Sequence, residues 1–206
     1  MSTVIPKPAH TAVPINPLAT DRWSGRAYDA DRRVSHDDLT GVLEAARWAP
    51  SCMNLQPWRI IICDRHTDPD AWEMAFDALA SSNQSWCDFA PILGIICSYT
   101  RMDKDDTPNR WHAYDAGQAA LSLALEATAR GLMLHQMGGF DTDGIRASFG
   151  IPDRYTIMTM FALGYQLPVD AVPDAMKIRE LTPRTRQPLG HIAFAGRWGE
   201  GFAGGR

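Results

Sequence analysis

The sequence lacks the marks of several large function classes. Its longest apolar runs are far too short to cross a bilayer. No basic stretch followed by an apolar run opens the chain, so no signal peptide is read. There are only four cysteines, Cys52, Cys63, Cys87 and Cys97, and no pair has zinc-knuckle or CxxC spacing. Unpaired cysteines of this kind suit a reducing cytoplasm. The histidines form no cluster with metal-ligand spacing, so no metal is expected, and His112 and His135 read as isolated structural residues. The dinucleotide fingerprint GxGxxG is absent, as are the P-loop, GxSxG and HExxH patterns. A formal net charge of −4 gives a nucleic-acid binder no electrostatic footing.

What is present describes an ordinary globular α/β (α+β) domain. The 206 residues are 45% hydrophobic and 21% charged, enough for one domain with a core and tight for two. Pro6, Pro8, Pro14 and Pro17 make residues 1–20 an extended arm rather than a helix. Residues 21–206 then form the single domain, ending in a C-terminal arm. Ser35 and Asp38 open a helix with an apolar face at Leu39, Val42, Leu43 and Ala46, ended by Pro50. Residues 58–63 form an apolar strand long enough for burial on both faces. Asp68 and Pro69 start a helix with its stripe at Trp72, Ala75, Phe76 and Leu79. Residues 91–99 are a second apolar strand.

Residues 112–130 are alanine-rich and apolar or small nearly all round, the pattern of a central helix buried on several sides and able to meet a second subunit. Strands follow at 132–137 and 155–165, with a short helix between them capped by Asp141. The last forty residues, broken by Pro168, Pro173, Pro183 and Pro188, read as irregular. Alternating helices and strands predict a single α/β or α+β domain.

Two features carry chemistry only weakly. Arg179, Arg184, Arg186 and Arg197 crowd the C-terminal end. They form either a solvated basic tail or a local anion site. Gly138 and Gly139 follow a strand and precede a capped helix, which leaves bare backbone N–H groups. The alternative is a simple turn.

A resemblance joins these features. Arg22-Trp-Ser-Gly-Arg26-Ala-Tyr28, Ala49-Pro-Ser-Cys-Met-Asn-Leu-Gln-Pro-Trp58, Asn83-Gln-Ser-Trp86 before Ala90-Pro91, Tyr114-Asp-Ala-Gly-Gln-Ala, Gly138-Gly-Phe-Asp141 and Arg184-Thr-Arg186 occur in this order. Together they resemble the nitroreductase family, the second segment almost letter for letter. The resemblance implies a nitroreductase-like fold with a central mixed sheet flanked by helices, and an intertwined homodimer with FMN sites built from both subunits. It also implies transfer of a hydride from NADH or NADPH through flavin N5 to a small organic acceptor, a nitroaromatic, quinone or activated alkene, by a ping-pong mechanism.

By the same resemblance, Arg22, Ser24, Arg184 and Arg186 bind the FMN phosphate, with Trp23 in the same segment. Arg26 places a cation near flavin N1 and O2, and Asn83 hydrogen-bonds that edge. Gly138 or Gly139 offers a backbone N–H to N5, so Gly138 and Arg26 carry the catalytic roles. Pro50, Ser51, Cys52, Met53, Asn54 and Gln56 reach the flavin from the opposite subunit. The sequence departs from many relatives at Trp86, where they carry a lysine, and at Cys52, where serine is common. Cys52 reads as a packing or hydrogen-bonding residue. The alternatives are a family cousin with other flavin chemistry (reductive dehalogenase, flavin-fragmenting enzyme or dehydrogenase) and a non-catalytic FMN-storage or redox-sensing protein. The polar stretch 100–110 reads as a modest lid or a plain surface loop.

Overall fold

The helices begin where the sequence supplies caps. Asn16 accepts a hydrogen bond from the Leu18 amide at 2.9 Å, and Pro17 opens helix α1, Pro17–Asp21, in the computed structural model, which describes residues 5–202. The expectation of a helix-free arm over residues 1–20 fails here. Proline at the first helical position gives up an amide that would have no partner anyway, so it starts a helix rather than preventing one. Residues 1–4 of that arm and 203–206 of the C-terminal arm lie outside the described residues. Ile5 is buried against Ala27 and Val172, so the start of the described chain packs on its own body.

Ser35 caps α2, His36–Arg47, through the Asp38 amide at 3.0 Å. Strand β1, Trp58–Asp64, is followed by α3, Pro69–Asp77, capped by Asp68, and by α4, Ser81–Cys87. Strand β2, Ile92–Tyr99, leads to the long helix α5, His112–Ala129. Strand β3, Met133–Met137, helix α6, Thr142–Ser148, and strand β4, Tyr155–Gly164, follow. Two more helices, α7 (Asp174–Leu181) and α8 (Leu189–Ile192), occupy the stretch expected to be irregular.

The four strands are ordered β1-β2-β4-β3, and every neighbouring pair is antiparallel. The expected mixed sheet is therefore corrected among the described residues. β2 and β3 run the same way, as strands joined by one long helix should. Strand β4 inserts between them, antiparallel to both, so no parallel pair forms. The short helices α3 and α4 together return the chain to the end of β1 that it left.

Strand β2 is the spine of the core. Ile92 and Ile96 point to the face covered by α2 and α5, where they meet Val42, Ala119 and Leu123. Leu93, Ile95 and Cys97 point to the other face, with Trp72, Trp86 and Met160. This is the period-two alternation of a strand covered on both sides. Strand β1 is instead an edge strand, with Arg59 exposed and Ile60, Ile61 and Ile62 half-buried, short of the full burial expected of it. At Gly94 a Cβ would stand 2.2 Å from the Phe161 ring, so glycine there lets β2 and β4 pack around that ring. No helix among the described residues is long and apolar enough to cross a membrane.

Candidate functional site

The two ends of the chain meet beside β3 and α5. Arg22, just after α1, donates from Nη1 to Ser24 Oγ at 3.3 Å. Arg184 donates from Nη1 to the carbonyls of Lys7 at 2.9 Å and Thr20 at 2.6 Å. Lys7 in turn donates from Nζ to the Arg179 carbonyl at 3.1 Å. These bonds bring Arg22, Arg184 and Arg186 onto one cavity of about 650 Å³, with an apolar wall that includes Leu121 and Leu125 of α5. Burial lowers the pKa of the Arg22 and Arg184 guanidinium groups, and the neighbouring arginines lower them further. Among the described residues, none of the three pairs with a carboxylate within 4 Å. Asp21 is near enough to oppose the shift at Arg184 without pairing with it, and a cluster of cations with no paired carboxylate fits a phosphate oxyanion, which guanidinium forks bind well.

From Ser24 the chain runs along β3. His135 on β3 lies with Nδ1 3.0 Å from the Gly25 carbonyl, so that nitrogen carries the proton and donates. Burial holds the His135 imidazole down at about 4, and nearby Arg26 and Arg22 press it the same way, so it is neutral near pH 7. Its ring centroid is 4.5 Å from that of Trp86, which is buried on α4 and also stacks with Tyr28 at 6.2 Å. The Arg26 guanidinium carbon lies 5.5 Å from the Trp86 ring centroid. Arg26 Nε and Trp86 Nε1 are both buried without a hydrogen-bond partner. Orphaned buried donors of this kind call for a ligand acceptor. Trp86, set apart above for replacing a lysine, thus floors the Arg26 side chain.

One turn back on α4, Asn83 donates from Nδ2 to the Gly139 carbonyl at 3.0 Å, and the Ala80 amide donates to the same oxygen at 3.0 Å. The two glycines then divide in role. A Cβ on Gly139 would crowd Asn83 Nδ2 at 3.1 Å, whereas one on Gly138 would meet nothing within 4 Å. Gly138 therefore presents open backbone, as a flat ligand would need for close approach. Arg26, Trp86, Asn83 and the glycine pair are linked through α4 and β3, and Ser24 and Gly25 lead from them to Arg22 on the arginine-walled cavity.

The remaining expected residues are placed elsewhere. Trp23 faces a second cavity of about 390 Å³, and its ring carries the Lys7 ammonium 4.4 Å from the centroid. Pro50, Ser51, Cys52, Met53, Asn54 and Gln56 form a tight segment before β1, and none of them lines the arginine-walled cavity. The Cys52 amide donates to Asp115 Oδ2 on α5 at 3.1 Å, and the Gln56 amide to Ser51 Oγ at 3.0 Å. Met53, Asn54 and Gln56 have φ of 52°, 58° and 47°, left-handed backbone that is costly for residues with side chains. Met53 projects into solvent, 78% exposed.

Three site-building residues were not singled out from the sequence. Asp115 fixes the Cys52 turn, Lys7 ties the first arm to the C-terminal segment, and Glu180 accepts the Arg26 amide at 2.9 Å. Each acts on backbone far away in sequence, and no local spacing signals such a bond.

Comparison with known proteins places the chain in a family. The family model described as the nitroreductase family matches residues 19–165. A 15.4 kDa protein of Mycolicibacterium smegmatis is 35% identical over 136 residues, covering 65% of this chain and 90% of that protein. An NADH dehydrogenase of Thermus thermophilus is 30% identical over 179 residues, covering 71% of this chain and 84% of that protein. The crystal structure of an oxidoreductase containing FMN superposes with a TM-score of 0.85 at 32% identity, covering 97% of this chain and all of that one.

Proposed function

The chain belongs to the nitroreductase family, and we propose that it is an FMN-dependent oxidoreductase carrying hydride from NADH or NADPH to a small organic acceptor. The observation that carries this reading is the set of three arginines, contributed by both ends of the chain to one cavity without a carboxylate partner. FMN, when bound, supplies two-electron chemistry at its N5 atom.

The protein's own part is binding, orientation and charge. Arg22, Ser24, Arg184 and Arg186 hold the phosphate. Arg26 sets a cation at the pyrimidine edge, where reduction adds negative charge, and Asn83 hydrogen-bonds that edge. Gly138 offers its backbone N–H beside N5 with no side chain to block a reactant. In this reading donor and acceptor react at the site in turn, which is a ping-pong order. Nitroaromatics, quinones and activated alkenes are the acceptor classes. Residues 21–206 act as one FMN-binding domain, and Pro50–Asn54 with Gln56 complete the site of a second copy in a homodimer. The four free cysteines suit work in a reducing cytoplasm.

The test is a visible absorption spectrum of the protein with FMN, taken before and after anaerobic NADH and then NADPH. An oxidised flavin band that bleaches with a donor and returns with a quinone or nitroaromatic is expected. A bound flavin that stays oxidised with both donors would remove the hydride-transfer reading and favour storage or sensing. A protein that takes up no FMN would remove the cofactor itself.

A further inference from the structure

Glu180 sits where a carboxylate is least expected. It lies on α7, is 2% exposed, and faces the segment that carries Ser24 and Arg26. Its Oε1 accepts the Arg26 amide at 2.9 Å, and the Ala27 amide also stabilises the charged form. Its Oε2 has no partner and would lie 3.1 Å from a Cβ at Gly25, so the backbone of residues 25–27 wraps the carboxylate. Burial pushes the carboxyl upward, and the Arg26 amide, Lys7 and the Arg26 guanidinium oppose that shift.

A buried acid beside an arginine usually takes the guanidinium in a paired fork. Here it does not. Arg26 makes no ion pair within 4 Å among the described residues, and its Nε is buried and unpartnered. The carboxylate is committed to the backbone, while the guanidinium turns to the Trp86 ring.

We infer that Glu180 is a positioning residue, which fixes the backbone of residues 25–27 so that the Arg26 guanidinium faces the flavin with no carboxylate upon it. This inference rests on the reading that the site takes FMN. It gives α7 a task in the site, although none of its side chains need touch the cofactor.

Glu180→Gln keeps an oxygen at the reach needed for the Arg26 amide and removes the charge. Glu180→Asp keeps the charge and withdraws the oxygen by one methylene. FMN affinity, the midpoint potential of the bound flavin and thermal stability are measured for both variants and the parent. E180D should weaken FMN binding only by about threefold, because the phosphate-facing arginines are left in place. It should also move the midpoint potential to more negative values, because a displaced cation stabilises the reduced flavin less. E180Q should bind FMN within about twofold of the parent, a difference under 0.5 kcal/mol, with a potential no more negative than the parent's.

Parent-like affinity and potential in E180D would overturn the inference. So would a fall in thermal stability with the potential unchanged, which is the mark of a merely structural residue. Should E180D fail to fold, E180Q still decides, and a tenfold loss of affinity there counts against the role. A parent that binds FMN and is bleached, beside an indifferent E180D, would overturn this inference alone. A parent that takes up no FMN would overturn both readings.

Discussion

At the scale of single residues, two buried donors of the site, Arg26 Nε and Trp86 Nε1, have no partner among the described residues. Arg26 is the clearest, since an unsatisfied buried donor costs about 1–3 kcal/mol until a ligand meets it. Arg22, Arg184 and Arg186 grip the phosphate in the proposed site, whereas Arg26 faces the ring edge. Arg26→Ala should accordingly lower the rate of flavin reduction by NAD(P)H about tenfold or more, a loss of about 1.4 kcal/mol of transition-state stabilisation. FMN affinity should change by much less. Stopped-flow bleaching at saturating FMN measures the first effect and fluorescence titration the second. Equal bleaching rates in variant and parent would take the role away from Arg26.

The sequence carried much of this scale. The resemblance names Arg22, Ser24, Arg26, Asn83, Gly138 and the arginine pair at 184 and 186, and the structure brings Arg22, Arg184 and Arg186 onto one cavity. Glu180 was not visible, because glutamate is almost never fully buried and no reader of one chain assigns it to a core. His135 was visible only as a lone histidine, and its contacts with Gly25 and Trp86 depend on tertiary packing.

At the scale of elements, the caps and the burial patterns were legible and the directions were not. Ser35, Asp68 and Asp141 cap helices as their sequence contexts require. Helix α7 was hidden by its flanking prolines, although Pro173 just before it and Asp174 in its first turn are start signals in their own right. Helix α4 was hidden for another reason: its polar residues SSNQSWC give no apolar period to read. The antiparallel order could not be read either, because the insertion of β4 between β2 and β3 is a matter of topology.

The β2–β4 pairing itself makes a prediction at this scale. Gly94→Ala sets a methyl against the Phe161 ring, in a core with no room for it. Overpacking of this kind costs about 1–3 kcal/mol. A urea unfolding midpoint lowered to match is expected, and an unchanged midpoint would show that the ring moves aside freely.

At the scale of the whole molecule, one face of the long helix is left uncovered. Helix α5 buries Ala116, Ala119, Leu123 and Ala127 against the sheet and α2, while Tyr114 and Leu121 remain 68% and 52% exposed. The strained turn at Met53 and Asn54 projects from the same chain. Exposed apolar surface rimmed by polar residues marks a site of association. Light scattering should give a mass twice the 22.8 kDa of one chain. A 22.8 kDa particle that binds FMN and is bleached normally would confine the site to one chain and leave the Cys52 turn outside it.

The bonds from Arg184 to Lys7 and Thr20 span 177 and 164 residues. During synthesis, then, a chain that has passed every strand of its sheet still lacks two arginines of the proposed phosphate cradle. The cradle closes only after residue 186 has been made and has come back to the first arm. On the proposed reading, a chain stopped short of α7 lacks Arg184 and Arg186 and loses that part of its hold on the phosphate.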